Sequence, residues 1–409
     1  MMRLPRRRAL PARKRALSLV FALVVLSPAA AVDWAGNVST EWGLDANWVG
    51  GIAPVAGDPV LIPTGMPNYP DLDIGLDDPT VSDLTIEDGA SLTVGTRALT
   101  VTGSLDVDGT GELLGGSGPI DIDGSVTGTG TFTASSGATE IGGDLTVTTF
   151  NDSNGTITFD TTNGSTVNGY TFNDVVVAAN TTQGGAWVVN GTLTVNGGAT
   201  LTTGGNGLSA NGGATVNGTL DATGQLGGDP TAVAGDLGGT GAANFGGGAV
   251  TVSGDVTVPT FSGGSAAVDI DGAATSATSF TESSTTTAVG GDFTVGAFTA
   301  TGTGTMTFDT TAGSTVNGYT FNDVEVVADK VLGTDWTVGG NLDTSAALDG
   351  SRTLTVNGNA SFGGIVGGGT ALASVSVSGT SAINTSGITT NGTQTYTGDV
   401  TVGANAVLS

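Results

Sequence analysis

The sequence predicts an all-β protein, a parallel β-helix (solenoid) in which short strands stack coil upon coil. Runs such as residues 84–89 and 99–103 alternate an apolar residue with Thr, Asp or Glu and close on glycine, which is typical of strands with one buried face. The chain also repeats itself, at a long and at a short spacing. No segment shows a convincing helical period, which leaves no crossover helices to build another kind of parallel sheet.

The long repeat is nearly identical in its two copies. Residues 164–175 read GSTVNGYTFNDV, and residues 313–324 repeat them letter for letter. The wider match of 155–177 to 304–326 fails at three positions only, where Ile157, Asn163 and Val176 become Met306, Ala312 and Glu325. Upstream, GGDLTV at 142–147 matches GGDFTV at 290–295 with one residue fewer between the copies. The repeated block covers about 120–195 and 268–344, and we call the copies module 1 and module 2.

The three differences indicate a copied structural module rather than a duplicated active site. Glu325 replaces Val176, and a buried position would not tolerate an unpaired carboxylate. Val324 and Val326 are therefore expected to face inward and Glu325 outward, since successive side chains of a strand alternate. What recurs is the set of positions that pack or turn.

The short repeat predicts the size of one coil. TVNG recurs at 194–197 and 215–218, a spacing of about 21 residues that fits three short strands and three turns. At about 4.8 Å per coil, the chain would form on the order of 17 coils, a rod roughly 80 Å long.

Residues 1–31 have the order of a cleaved secretory signal. Seven basic residues precede an apolar run at 16–26, and small residues follow at 29–31. That run is shorter than the roughly 20 residues that span a bilayer, and no other segment is long and apolar enough. We therefore expect export, with Val32 as the first mature residue and no transmembrane segment in the mature chain.

The charge and the missing residue types exclude several functions. The chain has 10 Lys+Arg and 37 Asp+Glu, and beyond the predicted signal only Arg97, Lys330 and Arg352 are basic. Such a surface repels nucleic acid. With no Cys and no His, the chain cannot form disulfides, a His/Cys zinc site, a Cys nucleophile or a His general base.

Acidic pairs spaced two apart are the first candidate sites. Asp106 and Asp108, followed by Glu112, are weak calcium candidates because carboxylates two apart share one face of a strand. The spacing departs from the known calcium loops, and the favoured interpretation is an outward residue followed by an Asp-Gly turn. No catalytic residue and no cofactor is assigned.

Tryptophans near the predicted mature N-terminus are the second candidate. Trp34, Trp42 and Trp48 lie within fifteen residues. They would form either a platform for stacking on a sugar or, as we favour, a cap over the open end of the first coil. The expected organisation is a signal at 1–31, a Trp-rich cap or entry region at 32–80 and a parallel β-helix at 81–409.

Residues 33–65 resemble the opening of large bacterial surface proteins with filamentous-haemagglutinin or autotransporter-like β-helices. The TFNDV units and residues 393–409 resemble the repeats of the same group. The resemblance implies a right-handed parallel β-helix displayed outside the cell, often for adhesion, with cell-surface glycans or other surface proteins as partners. The chain departs from that group in stopping at Ser409 inside a repeat unit, so we expect it to be truncated.

The sequence thus predicts an exported, non-enzymatic rod that is structural or adhesin-like. Two alternatives stay open: a carbohydrate-active β-helix enzyme that uses paired carboxylates, and a carbohydrate-binding module that uses the tryptophan cluster.

Overall fold

The computed structural model describes residues 30–160, 164–226, 229–403 and 405–409. Most of the predicted secretory signal lies outside the described residues. Ala31–Ser409 form one compact unit. It is an all-β solenoid of about 17 turns, and every ladder between strands of the described residues is parallel, which confirms the predicted fold class. The described part contains no helix long and apolar enough to span a bilayer.

The chain visits three faces in each turn, and the strands of a face form sheets along the solenoid axis. The strands of face 1 are Val32–Asp33, Val60–Ile62, Leu84–Ile86, Leu105–Val107, Val126–Thr127, Ser165–Val167, Thr181–Gln183, Thr200–Thr202, Thr219–Ala222, Ala242–Phe245, Thr260–Ser262, Ser279–Thr281, Phe298–Thr299, Thr320–Phe321, Trp336–Val338, Thr353–Val356, Ser374–Val377 and Gln394–Tyr396.

The strands of face 2 are Ser91–Gly95, Glu112–Gly116, Thr131–Thr133, Thr149–Asn151, Thr171–Phe172, Trp187–Val189, Leu208–Ala210, Thr231–Val233, Val250–Val252, Val268–Ile270, Thr286–Val289, Thr305–Phe308, Asp323–Val326, Leu342–Thr344, Ala360–Phe362, Ser381–Ile383 and Val400–Val402.

The strands of face 3 are Thr80–Val81, Leu99–Val101, Ile120–Ile122, Ala138–Ile141, Thr156–Phe159, Asp174–Val177, Leu193–Val195, Ala214–Val216, Leu237–Gly238, Ser314–Val316, Lys330–Leu332, Leu348–Asp349, Gly387–Ile388 and Val407–Leu408. The described helices are one α-helical turn, Leu72–Gly75, and one 3-10 turn, Asp45–Asn47.

The core is a narrow column of side chains inside the three faces. On face 3, Ile122 pairs with Ile141, and Ile141 pairs with Phe159, so that apolar residues lie above one another at successive turns. All three are buried. Each such side chain contributes about 1.5–3 kcal/mol on burial, which is how a chain with few aromatic residues and no disulfides holds its turns together.

The two modules fold alike. Thr156–Phe159 and Asp174–Val177 of module 1 have the same bounds, shifted by the repeat, as Thr305–Phe308 and Asp323–Val326 of module 2. Val324 and Val326 are buried whereas Glu325 is exposed, which confirms the predicted inward and outward positions.

Equivalent strands of the two modules nevertheless lie on different faces of the solenoid, which the sequence did not predict. Thr156–Phe159 belongs to the nine-stranded sheet of face 3, but its equivalent Thr305–Phe308 belongs to the thirteen-stranded sheet of face 2. The strands that module 1 contributes to that thirteen-stranded sheet are Thr171–Phe172 and Trp187–Val189. The repeat length is therefore not a whole number of turns, and module 2 is rotated by one face about the solenoid axis relative to module 1.

Candidate functional site

Many Asp and Asn side chains link one turn of the solenoid to the next. Asp255 shows the pattern: its Oδ1 accepts a hydrogen bond from the backbone N–H of Ala273 at 2.8 Å, while its own N–H donates to Asp236 Oδ1 at 2.8 Å. The same kind of bond joins turns 18 to 23 residues apart elsewhere, with the acceptors Asp78, Asp83, Asp88, Asp144, Asp174, Asp292, Asp329, Asp335, Asn341 and Asn359. We call these contacts inter-turn caps. Much of the acidity of the chain thus has a structural use, because each cap supplies an acceptor to a backbone N–H of a neighbouring turn.

The weak calcium candidates are not assembled into a metal site. Asp106, in the strand Leu105–Val107, accepts a hydrogen bond from the Thr127 hydroxyl at 3.2 Å. Asp108 and Glu112 are exposed on the following turn and strand. Among the described residues, no group of three or more His, Cys, Asp or Glu side chains is placed to hold a metal ion.

The three N-terminal tryptophans form a buried cluster. Trp34, Trp42 and Trp48 are 0%, 3% and 3% exposed. Trp48 meets Trp34 and Trp42 edge to face, with ring centroids 4.9 and 4.8 Å apart. The indole N–H of Trp34 donates to Asn68 O at 2.7 Å. Since the rings are covered by protein, they present no open face for stacking on a sugar in this structure.

A cleft on module 1 brings together polar groups that the sequence analysis did not single out. Its volume is about 310 Å³, at the small end of ligand pockets. It lies where the chain passes from Thr149–Asn151 on face 2 to Thr156–Phe159 on face 3. The lining residues are Phe150, Asn151, Asp152, Ser153, Asn154, Thr171, Phe172, Asn173 and Asn190. We call this the module 1 cleft.

The loop at 151–154 has an unusual backbone. Ser153 and Asn154 have φ values of 58° and 60°, in the left-handed region that residues other than glycine rarely adopt. Gly155 ends the loop at a close approach, because a Cβ there would lie 2.2 Å from Ser135 O. This conformation directs Asp152 back toward the solenoid.

Asp152 carries the most distinctive chemistry of the module 1 cleft. Its Oδ2 accepts a hydrogen bond from the Asn173 backbone N–H, whereas its Oδ1 is buried and has no hydrogen-bond partner among the described residues. The pKa of Asp152 is raised to about 6, because burial raises it more than the hydrogen bond from the Asn173 N–H lowers it, and the charge of Asp174 adds a smaller increase. The carboxyl group thus lines the cleft, with Oδ2 hydrogen-bonded to the backbone and Oδ1 out of contact with solvent.

A rigid aromatic cluster supports the apolar side of the module 1 cleft. The half-buried ring of Phe150 lies 5.7 Å from Phe132, 5.2 Å from Tyr170 and 5.6 Å from Phe172, measured between ring centroids. The Tyr170 hydroxyl donates to Val147 O. Phe150 is therefore fixed in orientation beside the carboxyl group of Asp152.

Two other surfaces place carboxylates on neighbouring strands. Asp121 pairs directly with Glu140 on face 3, beside a cleft of about 250 Å³. Desolvation raises the pKa of both, and the charge of Asp160 adds to each shift. Glu325 pairs with Asp343 on face 2, in a groove of about 520 Å³. Paired carboxylates at neighbouring strands are spaced about 4.8 Å apart at the backbone, a geometry compatible with acid/base chemistry.

Sequence reasoning missed the module 1 cleft, although a signal for it exists. The offset between the two modules changes by one residue in this loop, where NDSN at 151–154 corresponds to TATGT at 299–303. A change of length and composition directly before the most closely matched part of the repeat, 155–177, marks a position that the scaffold does not constrain.

Comparison of the chain with family models, with curated proteins and with solved structures gives no match. The resemblance to filamentous-haemagglutinin and autotransporter-like proteins accordingly stays a prediction from the sequence, whereas the β-solenoid fold is seen directly.

Proposed function

We propose that this chain is an exported, non-enzymatic β-solenoid rod that acts at the cell surface as a structural or adhesin-like protein. The observation that carries the proposal is the stack of about 17 turns, in which inter-turn caps engage many of the carboxylates that would otherwise suggest chemistry. A stack of this length extends roughly 80 Å, which suits presentation of a binding surface away from a membrane. The predicted secretory signal at 1–31 supports export.

Surface display is tested in the native host with an epitope tag inserted in an exposed turn. The expected result is that the tagged chain is found in the outer fraction or the medium and is cleaved when intact cells are treated with protease. The matched control lacks residues 2–31 and should stay inside the cell. A complete chain retained in the cytoplasm would overturn the proposal.

A carbohydrate-active enzyme is the second candidate, and one observation favours it. Asp121 and Glu140 face each other on adjacent strands beside a cleft, and both have a raised pKa, as a general acid requires. Release of reducing ends from a panel of polysaccharides, lost in both Asp121→Asn and Glu140→Gln, would establish the enzyme. No turnover by the wild type on that panel favours the rod.

A further inference from the structure

We propose that the module 1 cleft binds a neutral carbohydrate, with the Asp152 carboxyl group accepting a hydrogen bond from a sugar hydroxyl through Oδ2 and the Phe150 ring contacting the apolar face of the sugar. The inference rests on the proposed adhesin-like function and gives it a ligand class and a position.

The first support is the polar lining of the module 1 cleft. Asp152 Oδ2 accepts one hydrogen bond from the Asn173 N–H and, as a carboxylate oxygen, has a second lone pair that a ligand hydroxyl can use. The neighbouring Asn151, Asn173 and Asn190 provide amide groups of the kind that fix the orientation of sugar hydroxyls.

The second support comes from module 2, which shows that the fold does not need Asp152. The backbone N–H of Ala134 donates to Asn151 O at 2.8 Å, and the equivalent N–H of Glu282 donates to Thr299 O at 3.2 Å. The two loops therefore occupy the same place in their modules. The loop of module 2, residues 299–303, contains no carboxylate.

The carboxyl group that binds the loop of module 2 belongs to Glu282, one turn earlier, and is inaccessible. Glu282 is 0% exposed, its Oε1 accepts hydrogen bonds from the N–H and hydroxyl of Thr301, and its Oε2 is buried with no hydrogen-bond partner among the described residues. Module 1 has Ala134 at that position. Of the two modules, only module 1 thus brings a carboxyl group from the loop into an open cleft, and module 2 serves as a natural control.

The third support concerns the ligand class. Among the described residues, no basic side chain lines the module 1 cleft, so an anionic sugar has no counter-charge there. A multivalent cation would require several carboxylates, whereas the lining contains Asp152 alone. An aromatic wall beside amide and carboxyl groups fits a neutral sugar, which has apolar C–H faces and hydroxyl donors.

The test is binding of the full secreted chain to an array of neutral gluco-, galacto- and manno-configured oligosaccharides, followed by titration calorimetry on the glycan retained. We expect Asp152→Asn to weaken binding about tenfold. Replacement of residues 151–154 by the sequence TATGT of module 2 should abolish it. The matched control, Thr301→Ala in module 2, should bind as the wild type does. The affinity of the wild type should increase between pH 5 and pH 7.5, whereas that of Asp152→Asn should not change.

The inference is overturned if no array glycan binds, or if binding is unaffected by both changes in the loop. The inference is also overturned if calcium, added without glycan, binds to the wild type and not to Asp152→Asn, because the cleft would then be a cation site. Surface display without glycan binding would refute the glycan site and leave the proposed surface function standing. Glycan binding by a chain that stays in the cytoplasm would refute the surface function and leave the glycan site standing.

Discussion

The inter-turn caps predict a measurable and chemically specific effect on stability. In Asp255→Ala the N–H of Ala273 loses its acceptor, which lies 2.8 Å away in the wild type. A net hydrogen bond is worth about 0.5–1.5 kcal/mol, and loss of a comparable helix cap typically costs about 1 kcal/mol. Because Asp255 is exposed and water can replace part of the bond, we expect a loss of about 1 kcal/mol in the free energy of unfolding.

Asparagine should replace aspartate at this cap with little cost. The chain already has asparagine as the acceptor of some inter-turn caps. Asn341 Oδ1 accepts a hydrogen bond from Asn359 N at 3.0 Å, and Asn359 Oδ1 accepts one from Thr380 N at 2.9 Å. We expect Asp255→Asn to lie within about 0.5 kcal/mol of the wild type, as exposed substitutions without lost bonds do.

The assay is guanidinium unfolding followed by circular dichroism at 217 nm, at moderate salt to limit long-range charge effects. The control is Asp343→Ala, which removes an exposed carboxylate that makes no hydrogen bond to another described residue. Equal stability for Asp255→Ala and Asp343→Ala, or equal losses for Asp255→Ala and Asp255→Asn, would refute the cap as the cause.

Three further predictions concern buried and half-buried positions. The pKa of Asp152 is raised from 3.8 to about 6 in the folded state, so wild-type stability should fall as pH rises from about 4 to 6. Because this side chain is partly solvated, we expect Asp152→Asn to be more stable than the wild type by only about 1 kcal/mol at pH 7. Identical unfolding curves at pH 4 and pH 7 would contradict this prediction. Lys330 is buried, its Nζ donates to Gly290 O, Thr311 O and Ser314 Oγ, and desolvation lowers its pKa. The stability of the wild type relative to Lys330→Met should therefore increase as pH rises toward 10.5. A difference in urea midpoints that does not change with pH would contradict the lowered pKa of Lys330. Val177→Glu places a charge in the core and should lower the free energy of unfolding by more than about 4 kcal/mol. Val176→Glu, which copies Glu325, should lower it by less than about 1 kcal/mol. Similar losses for both variants in thermal unfolding would contradict the inward position of Val177 and the outward position of Val176.

The strands were predictable because their signal is local. Alternation in residues 84–86 and 99–101 needs only a period of two, and the structure has strands at both places. The exposure of Glu325 followed from the same rule together with one difference between the copies. The buried Lys330 was not anticipated, because its three acceptors come from turns 16 to 40 residues away.

Long-range features were not predictable because the turns differ in length. Paired positions on successive turns are 21 residues apart at Leu84 and Leu105 but 18 apart at Thr156 and Asp174. With a variable spacing, the sequence does not show that module 2 lies on the next face, or which backbone N–H an Asp side chain caps. The cleft around Asp152 depends on the same unknown, because Asn173 reaches it from the following turn.

The central claim is that the loop at 151–154 confers a glycan site on a solenoid whose fold does not depend on that loop. Grafting the module 1 cleft onto module 2 tests this claim most directly. The graft replaces residues 299–303 by NDSN and combines this with Glu282→Ala and Gly339→Asn, so that module 2 acquires the loop, the small residue found at Ala134 and the amide found at Asn190. Calorimetric titration with the glycan retained by the wild type should give one site per chain before the graft and two after it. A stoichiometry that stays at one in a folded graft would contradict the account.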